Sequence, residues 1–179
     1  MGRRLAATAV LCSLVAAGPA ASSGAIRVTP IVTPEGVAAS FSVPAVFGYE
    51  AREVLQSGLV LTFTFFVEVR RPSSIWFDRT ITSVTTASSA RFDNLTGVYQ
   101  VSKLRDGRVV WSERTEDAAQ VGRWMTTFDR VPLTSAGPLA ADTGYYVRVR
   151  MQSSPRRTFS LWPWAGDAGS GRADFTFGH

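Results

Sequence analysis

This sequence predicts an all-β fold, a mostly antiparallel β-sandwich of the immunoglobulin-like or C2-like kind, with about seven to nine strands and two short helices. Three observations predict it. Apolar residues alternate with others over Leu59 to Arg70 and again over Tyr145 to Gln152, which is the period of two that belongs to strands. The pair Asp106-Gly107 separates two further strand-like runs, and Asp-Gly accommodates the positive φ angles of a tight hairpin turn. Apolar residues recur at helical spacing in only two short stretches.

A chain of 179 residues with 45% hydrophobic content can bury one sizeable core, and its length fits one domain. Residues 1–24 read as a leader rather than as part of that domain. Arg3 and Arg4 precede an apolar run from Leu5 to Ala17, and small residues follow from Gly18 to Ala25. That order is a secretory signal peptide, too short for a comfortable membrane span. The chain is therefore expected to be exported, to the periplasm or the periplasmic face of a bacterial envelope, with residues 25–179 as a single sandwich domain. An uncleaved anchor is the alternative, because the junction is not a clean Ala-x-Ala. Cys12 is the one cysteine; bulky Leu11 before it disfavours lipidation, and the surroundings of a twin-arginine signal are missing around Arg3-Arg4. Cleavage would leave no thiol and no disulfide. The formal net charge is +5, of which Arg3 and Arg4 supply two. The remaining basic residues, all arginine except Lys103, are interleaved with acids, so nucleic acid is not an expected partner.

The elements follow in order. Ala25 to Val32 and Val37 to Val43 read as short strands around Pro34-Glu35-Gly36. Tyr49 to Ser57 carries Ala51, Val54 and Leu55 at helical spacing and stops at Gly58, a residue suited to a left-handed C-terminal cap. Leu59 to Arg70 is a strand with Leu59, Leu61, Phe63, Phe65, Val67 and Val69 on one face. Thr80 to Ser89 is a strand polar on both faces, which suggests an edge or a solvated surface. Val98 to Leu104 and Val109 to Arg114 form the hairpin across Asp106-Gly107. Glu116 to Phe128 reads as a helix with Thr115 as N-cap, Glu116 and Asp117 in its first turn, and an apolar face of Ala118, Val121, Trp124, Met125 and Phe128. In Tyr145 to Gln152 an apolar face alternates with Tyr146, Arg148, Arg150 and Gln152, the one dry and one wet face of an antiparallel sheet. Phe63, Phe65, Val67, Val147 and Val149 are expected to be buried.

Residue types restrict the chemistry. The single histidine is the terminal His179 and the mature chain would hold no cysteine, so Ser-His-Asp and Cys-His sites and the usual zinc ligands are not expected. No run of oxygen ligands suits calcium, and no Gly-rich phosphate loop follows a strand. Asn94-Leu95-Thr96 matches a glycosylation acceptor but serves equally as an ordinary turn. No cofactor, metal or catalytic residue is expected, and the chain reads as a non-enzyme. A carboxylate-dependent hydrolase is the weaker alternative, with Glu68, Asp78, Glu113 and Asp129 as its acids. The feature beyond packing is a clustering of basic and aromatic residues: Arg70 and Arg71 before Trp76, Phe77, Asp78 and Arg79, and Arg156 and Arg157 before Phe159, Trp162 and Trp164. Such groups can stack on sugars, sit at a lipid headgroup interface or anchor a partner protein. They can also simply close the ends of a sandwich, with arginines lying over the rings. The expected function is a non-catalytic envelope interaction module, with a lipid- or sugar-binding sandwich as the alternative and a membrane-embedded protein or the membrane surface as partner.

Several segments in this order resemble a family of exported bacterial proteins, domain of unknown function 4390. They are Glu53 to Phe63, the segment from Arg70-Arg71 to Trp76-Phe77-Asp78, Asn94 to Val101, and the strand core Tyr145 to Arg150. The resemblance covers nearly the whole mature chain and consists of packing patterns. It implies an envelope location and, through frequent gene proximity to a sensor histidine kinase, a link to an envelope signalling pathway. It supplies no catalytic residue. The chain departs from the family pattern at its end, where Ser153 to Arg157, Leu161 to Trp164 and Gly169 to Gly171 stand in place of a proline-containing segment followed by Trp and Ser-Trp.

Overall fold

The computed structural model describes residues 26–75, 77–154 and 169–178. The leader with Cys12, Trp76, the segment 155–168 with Arg156, Arg157, Trp162 and Trp164, and His179 lie outside the described residues.

The chain opens with the hairpin β1 (Arg27–Thr33) and β2 (Gly36–Ser42), followed by a single 3-10 turn (Pro44–Val46) and α1 (Tyr49–Gln56). It then builds β3 (Leu61–Arg71), β4 (Arg79–Asp93), β5 (Val98–Arg105) and β6 (Arg108–Thr115). After α2 (Ala118–Thr126) come β7 (Thr127–Ser135), β8 (Thr143–Ser154) and β9 (Ser170–Phe177). A three-stranded sheet of order β1-β2-β7 faces a six-stranded sheet of order β6-β5-β4-β3-β8-β9, and every pairing is antiparallel. The expected sandwich is observed, with nine strands and two α-helices among the described residues.

The alternation in β3 becomes a sharp division of faces, although the strand starts two residues later than expected, so that Leu59 precedes it and is exposed. Leu61, Phe63, Phe65, Val67 and Val69 are all buried, as are Tyr145, Val147, Val149 and Met151 on neighbouring β8. Three rings join the sheets: Phe41 of β2, Phe65 of β3 and Phe128 of β7 lie with centroids 4.8 to 5.2 Å apart. Lys103, the one lysine, reaches this cluster from β5, its Nζ 4.9 Å from the Phe128 centroid and donating to the Thr127 carbonyl at 2.8 Å. Burial pushes its amine below the ordinary lysine range. The hairpin turn is as the Asp-Gly pair requires, with φ of 47° at Asp106 and 81° at Gly107. Asp106 also clamps the turn to β4, accepting from the Thr85 N–H at 3.0 Å.

Two expectations are corrected. The strand over Thr80 to Ser89 belongs to β4, which is neither an edge nor a solvated surface: it lies between β3 and β5, and Thr86 and Ser88 are buried. Their hydroxyls are accommodated because each has an acceptor, Thr86 donating to the Leu104 carbonyl at 2.9 Å and Ser88 to the Met125 carbonyl at 2.7 Å. The Ser88 bond satisfies a carbonyl in the last turn of α2, where no helical partner is available. The second helix is shorter than Glu116 to Phe128. Its N-cap is Asp117, whose Oδ1 accepts from Ala119 N–H at 2.7 Å, while the Thr115 hydroxyl accepts from Asp117 N–H. Glu116 therefore precedes the helix, and Phe128 belongs to β7.

Truncation of the ring cluster, Phe65→Ala, is expected to cost about 3–5 kcal/mol, and Ser88→Ala about 1–3 kcal/mol through the orphaned carbonyl. Equilibrium urea unfolding measures both. A loss below 1 kcal/mol for Phe65→Ala would show that the cluster does not join the sheets.

Candidate functional site

At one end of the six-stranded sheet the chain passes from β3 to β4 through residues 72–78. Arg70 and Arg71 close β3, and Arg79 opens β4 directly opposite Arg71. The sequence supplies Pro72, Ser73 and Ser74, which favour a turn, and then the consecutive apolar run Ile75-Trp76-Phe77. Ile75 is 80% exposed and Phe77 is 93% exposed. Exposure on this scale of two large apolar side chains within three residues is unusual on a monomer surface.

The loop is not held by burial. Asp78 at its base holds it through both carboxylate oxygens: Oδ2 accepts from the Tyr146 hydroxyl at 2.6 Å and Oδ1 from the Ser73 N–H at 3.1 Å. Arg70 donates from Nη2 to the Asp78 carbonyl at 2.8 Å. On the outer face of the sheet, opposite the core, Tyr146 is nonetheless only 3% exposed, because the Arg172 guanidinium of β9 stacks 3.8 Å above its ring. Arg172 is in turn fixed by Asp174 at 2.7 Å. The Tyr146 hydrogen bond, followed by that from Ser73, holds the Asp78 carboxyl below the usual carboxylate range. Burial and the bond to Asp78 push the Tyr146 phenol up.

Of the residues expected at an interaction surface, Arg70, Arg71 and Phe77 come together here. Arg70 is committed to the loop backbone, whereas Arg71 and Phe77 are exposed. Trp76, Arg156, Arg157, Trp162 and Trp164 lie outside the described residues. The chain leaves β8 at Ser154, paired with Thr62 near the start of β3, whereas Arg70 pairs with Tyr146 near its end. β8 thus ends away from the 72–78 loop, and β9 begins at Ser170 opposite Arg150, level with Phe66 in the middle of β3.

The four candidate carboxylates do not form a converging pair. Glu68 accepts from Arg150 at 3.0 Å on the outer face of the sheet. Asp78 is the loop anchor, Glu113 is exposed on edge strand β6, and Asp129 is exposed on β7 of the other sheet.

Residue typing missed Ile75, Tyr146 and Arg172. An apolar tripeptide in a Pro/Ser-rich turn is the signal that could have added Ile75. No sequence signal pairs Tyr146 with Asp78 across 68 residues.

The linkage gives a pH test. Asp78 has a lowered folded-state pKa, so its stabilisation is complete above the ordinary value of 3.8 and disappears as pH falls below it. Tyr146→Phe is expected to lower Tm at neutral pH, and the gap from the unaltered protein should close as pH falls below about 4. A gap independent of pH would show that the phenol acts through packing alone.

The profile of the family described as Domain of unknown function (DUF4390) matches residues 23–157. Of the segments expected to depart from that family's pattern, Ser153 to Arg157 falls within the match, whereas Leu161 to Trp164 and Gly169 to Gly171 lie beyond it. No curated protein and no solved structure matches the chain.

Proposed function

The chain belongs to the DUF4390 family, and on that premise we propose that it is a non-catalytic interaction module of the bacterial envelope, which docks on the membrane surface through the 72–78 loop. The observation that carries the reading is the pair of exposed apolar side chains, Ile75 and Phe77, at 80% and 93% exposure, on a loop bracketed by Arg71 and Arg79. An apolar tip with a cationic collar suits a lipid interface, where rings and aliphatic side chains enter the acyl boundary and arginines meet headgroup phosphates. Anionic lipid adds about 1 kcal/mol per basic residue close to the surface. The anchoring of the loop by Asp78 and Tyr146 supports the same reading, since a tip ordered in advance loses less entropy on docking. The absence of a converging carboxylate pair among the described residues disfavours the hydrolase alternative. The reading includes export to the periplasm or its envelope face. The link to a sensor-kinase pathway is not needed for docking and rests on the resemblance alone.

Burial of Ile75 and Phe77 contributes about 1.5–3 kcal/mol for each side chain, which is roughly ten- to a hundredfold in partitioning per residue. Co-sedimentation of the purified protein with phosphatidylglycerol-containing vesicles is expected, and Ile75→Asp with Phe77→Asp should abolish it. Undiminished binding by the double variant would contradict the docking assignment. Photo-crosslinking in cells from position 77 should yield lipid; recovery of a membrane protein instead would replace the membrane surface with a protein partner.

A further inference from the structure

Behind the loop, the open end of the sandwich holds a cavity of about 240 Å³. Arg71 of β3, Arg79 of β4 and Tyr145 of β8 line it, with Ile81, Pro138 and Ala140 as apolar wall. Three features of this end are unexplained by packing.

First, Arg71 and Arg79 are cross-strand partners, and like charges directly opposite each other destabilise a sheet. Neither side chain makes an ion pair or a hydrogen bond among the described residues. Second, the pairing is produced by an irregularity. Val69 pairs with Thr82 but Arg70 pairs with Thr80, so Ile81 is an extra residue on β4. Without that bulge Thr80, not Arg79, would stand opposite Arg71. Bulges commonly re-aim a side chain beside a functional site, and here the effect is to bring a second cation to the mouth of the cavity. Third, Tyr145 is 97% buried, being 3% exposed. Its hydroxyl accepts from the Ala140 N–H at 2.9 Å, and its own proton has no acceptor among the described residues.

We infer that this cavity is a binding site for a phosphate-class anion, held by the Arg71 and Arg79 guanidiniums and by the Tyr145 hydroxyl. A carboxylate has two oxygens, which a single arginine fork satisfies. Two forks and a phenol match a tetrahedral group with three or four oxygens, and arginine is the side chain whose planar fork fits phosphate. The volume is below the 300–1,000 Å³ common for drug-sized ligands, so it holds a phosphate group with a small substituent. A lipid headgroup and a soluble phosphate share this chemistry. The site goes beyond the docking reading, because it stands whether or not Ile75 and Phe77 enter a membrane.

Isothermal titration of the purified protein with inorganic phosphate in low-salt buffer, with co-sedimentation on phosphatidylglycerol and phosphatidylcholine vesicles, tests it. Arg79→Gln is expected to weaken anion binding roughly tenfold or more, with Arg79→Lys intermediate because it retains the charge and loses the fork. Phe77→Asp should leave phosphate binding unchanged, which separates failure of this site from failure of the docking loop. Thermal melting supplies an independent readout: without phosphate Arg79→Gln should melt no lower than the unaltered protein, since it removes a repulsion, and phosphate should raise Tm only where Arg79 is present. Saturable phosphate binding lost in Arg79→Gln supports the site with a soluble source. Arg79-dependent binding to phosphatidylglycerol vesicles alone supports it with a lipid source where Arg79→Lys restores binding only in part, because a collar that needs charge alone would be restored in full; full restoration by Arg79→Lys without phosphate binding overturns the site. No saturable phosphate binding together with vesicle binding that ignores Arg79, or phosphate binding equal in Arg79→Gln, overturns it.

Discussion

Everything at the 72–78 end depends on how the two sheets are held face to face, and that depends on Phe41, Phe65 and Phe128. Each ring comes from a different strand, two from the smaller sheet and one from the larger, with centroids 4.8 to 5.2 Å apart. Rings bury much area and pack in offset-stacked, tilted or edge-on pairs, so they fix both the spacing and the relative placement of the sheets. With that spacing set, β3 has one side for the core and one for other work. Its inner row closes the sandwich. Its outer row, with that of β8, carries Phe66, Glu68, Arg70, Tyr146 and Arg150 in register, and it is this outer row that reaches the loop.

The loop illustrates how a surface segment can be ordered without burying its tip. Asp78 accepts from Tyr146 and Ser73, and Tyr146 is shielded by Arg172. The groups that hold the base are therefore contributed by β8 and β9, far along the chain. Ile75 and Phe77 are left outward, while Arg71 and Arg79 remain uncommitted to any carboxylate among the described residues. The far end of the sandwich differs. There Leu95 is 97% exposed in the turn after β4, and its chain neighbours Asn94 and Thr96 are uncharged.

Much of the fold was legible because β3 and β8 keep a strict period of two and the Asp106-Gly107 turn has one geometry. The parts that were not legible have physical causes. In β7 the buried residues are Phe128, Val131 and Leu133, a spacing broken by positive φ at Arg130 and by register shifts against β2; Phe128, four residues after Trp124, also mimics helical spacing. In β9 only Gly171 and Phe177 are buried. Gly171 is needed because a Cβ there would meet the Ile26 carbonyl at 2.3 Å, a constraint set by β1 that β9 itself does not display. The polar strand β4 misled because its hydroxyls find acceptors only in the folded state. At the site, Arg70, Arg71 and Phe77 were visible as a basic and aromatic cluster. The β-bulge at Ile81 and the Tyr146–Asp78 bond were not, since both arise from pairings between distant strands.

On the proposed reading this sandwich is polar in use, with the 72–78 end facing the membrane. Spin labels at position 77 and at position 95, placed singly by Phe77→Cys and Leu95→Cys in a Cys12→Ser background, report which end meets lipid. Power-saturation measurements on phosphatidylglycerol vesicles should show the label at 77 below the headgroup plane and the label at 95 in water. Both labels in water, or the label at 95 in lipid, would contradict the account.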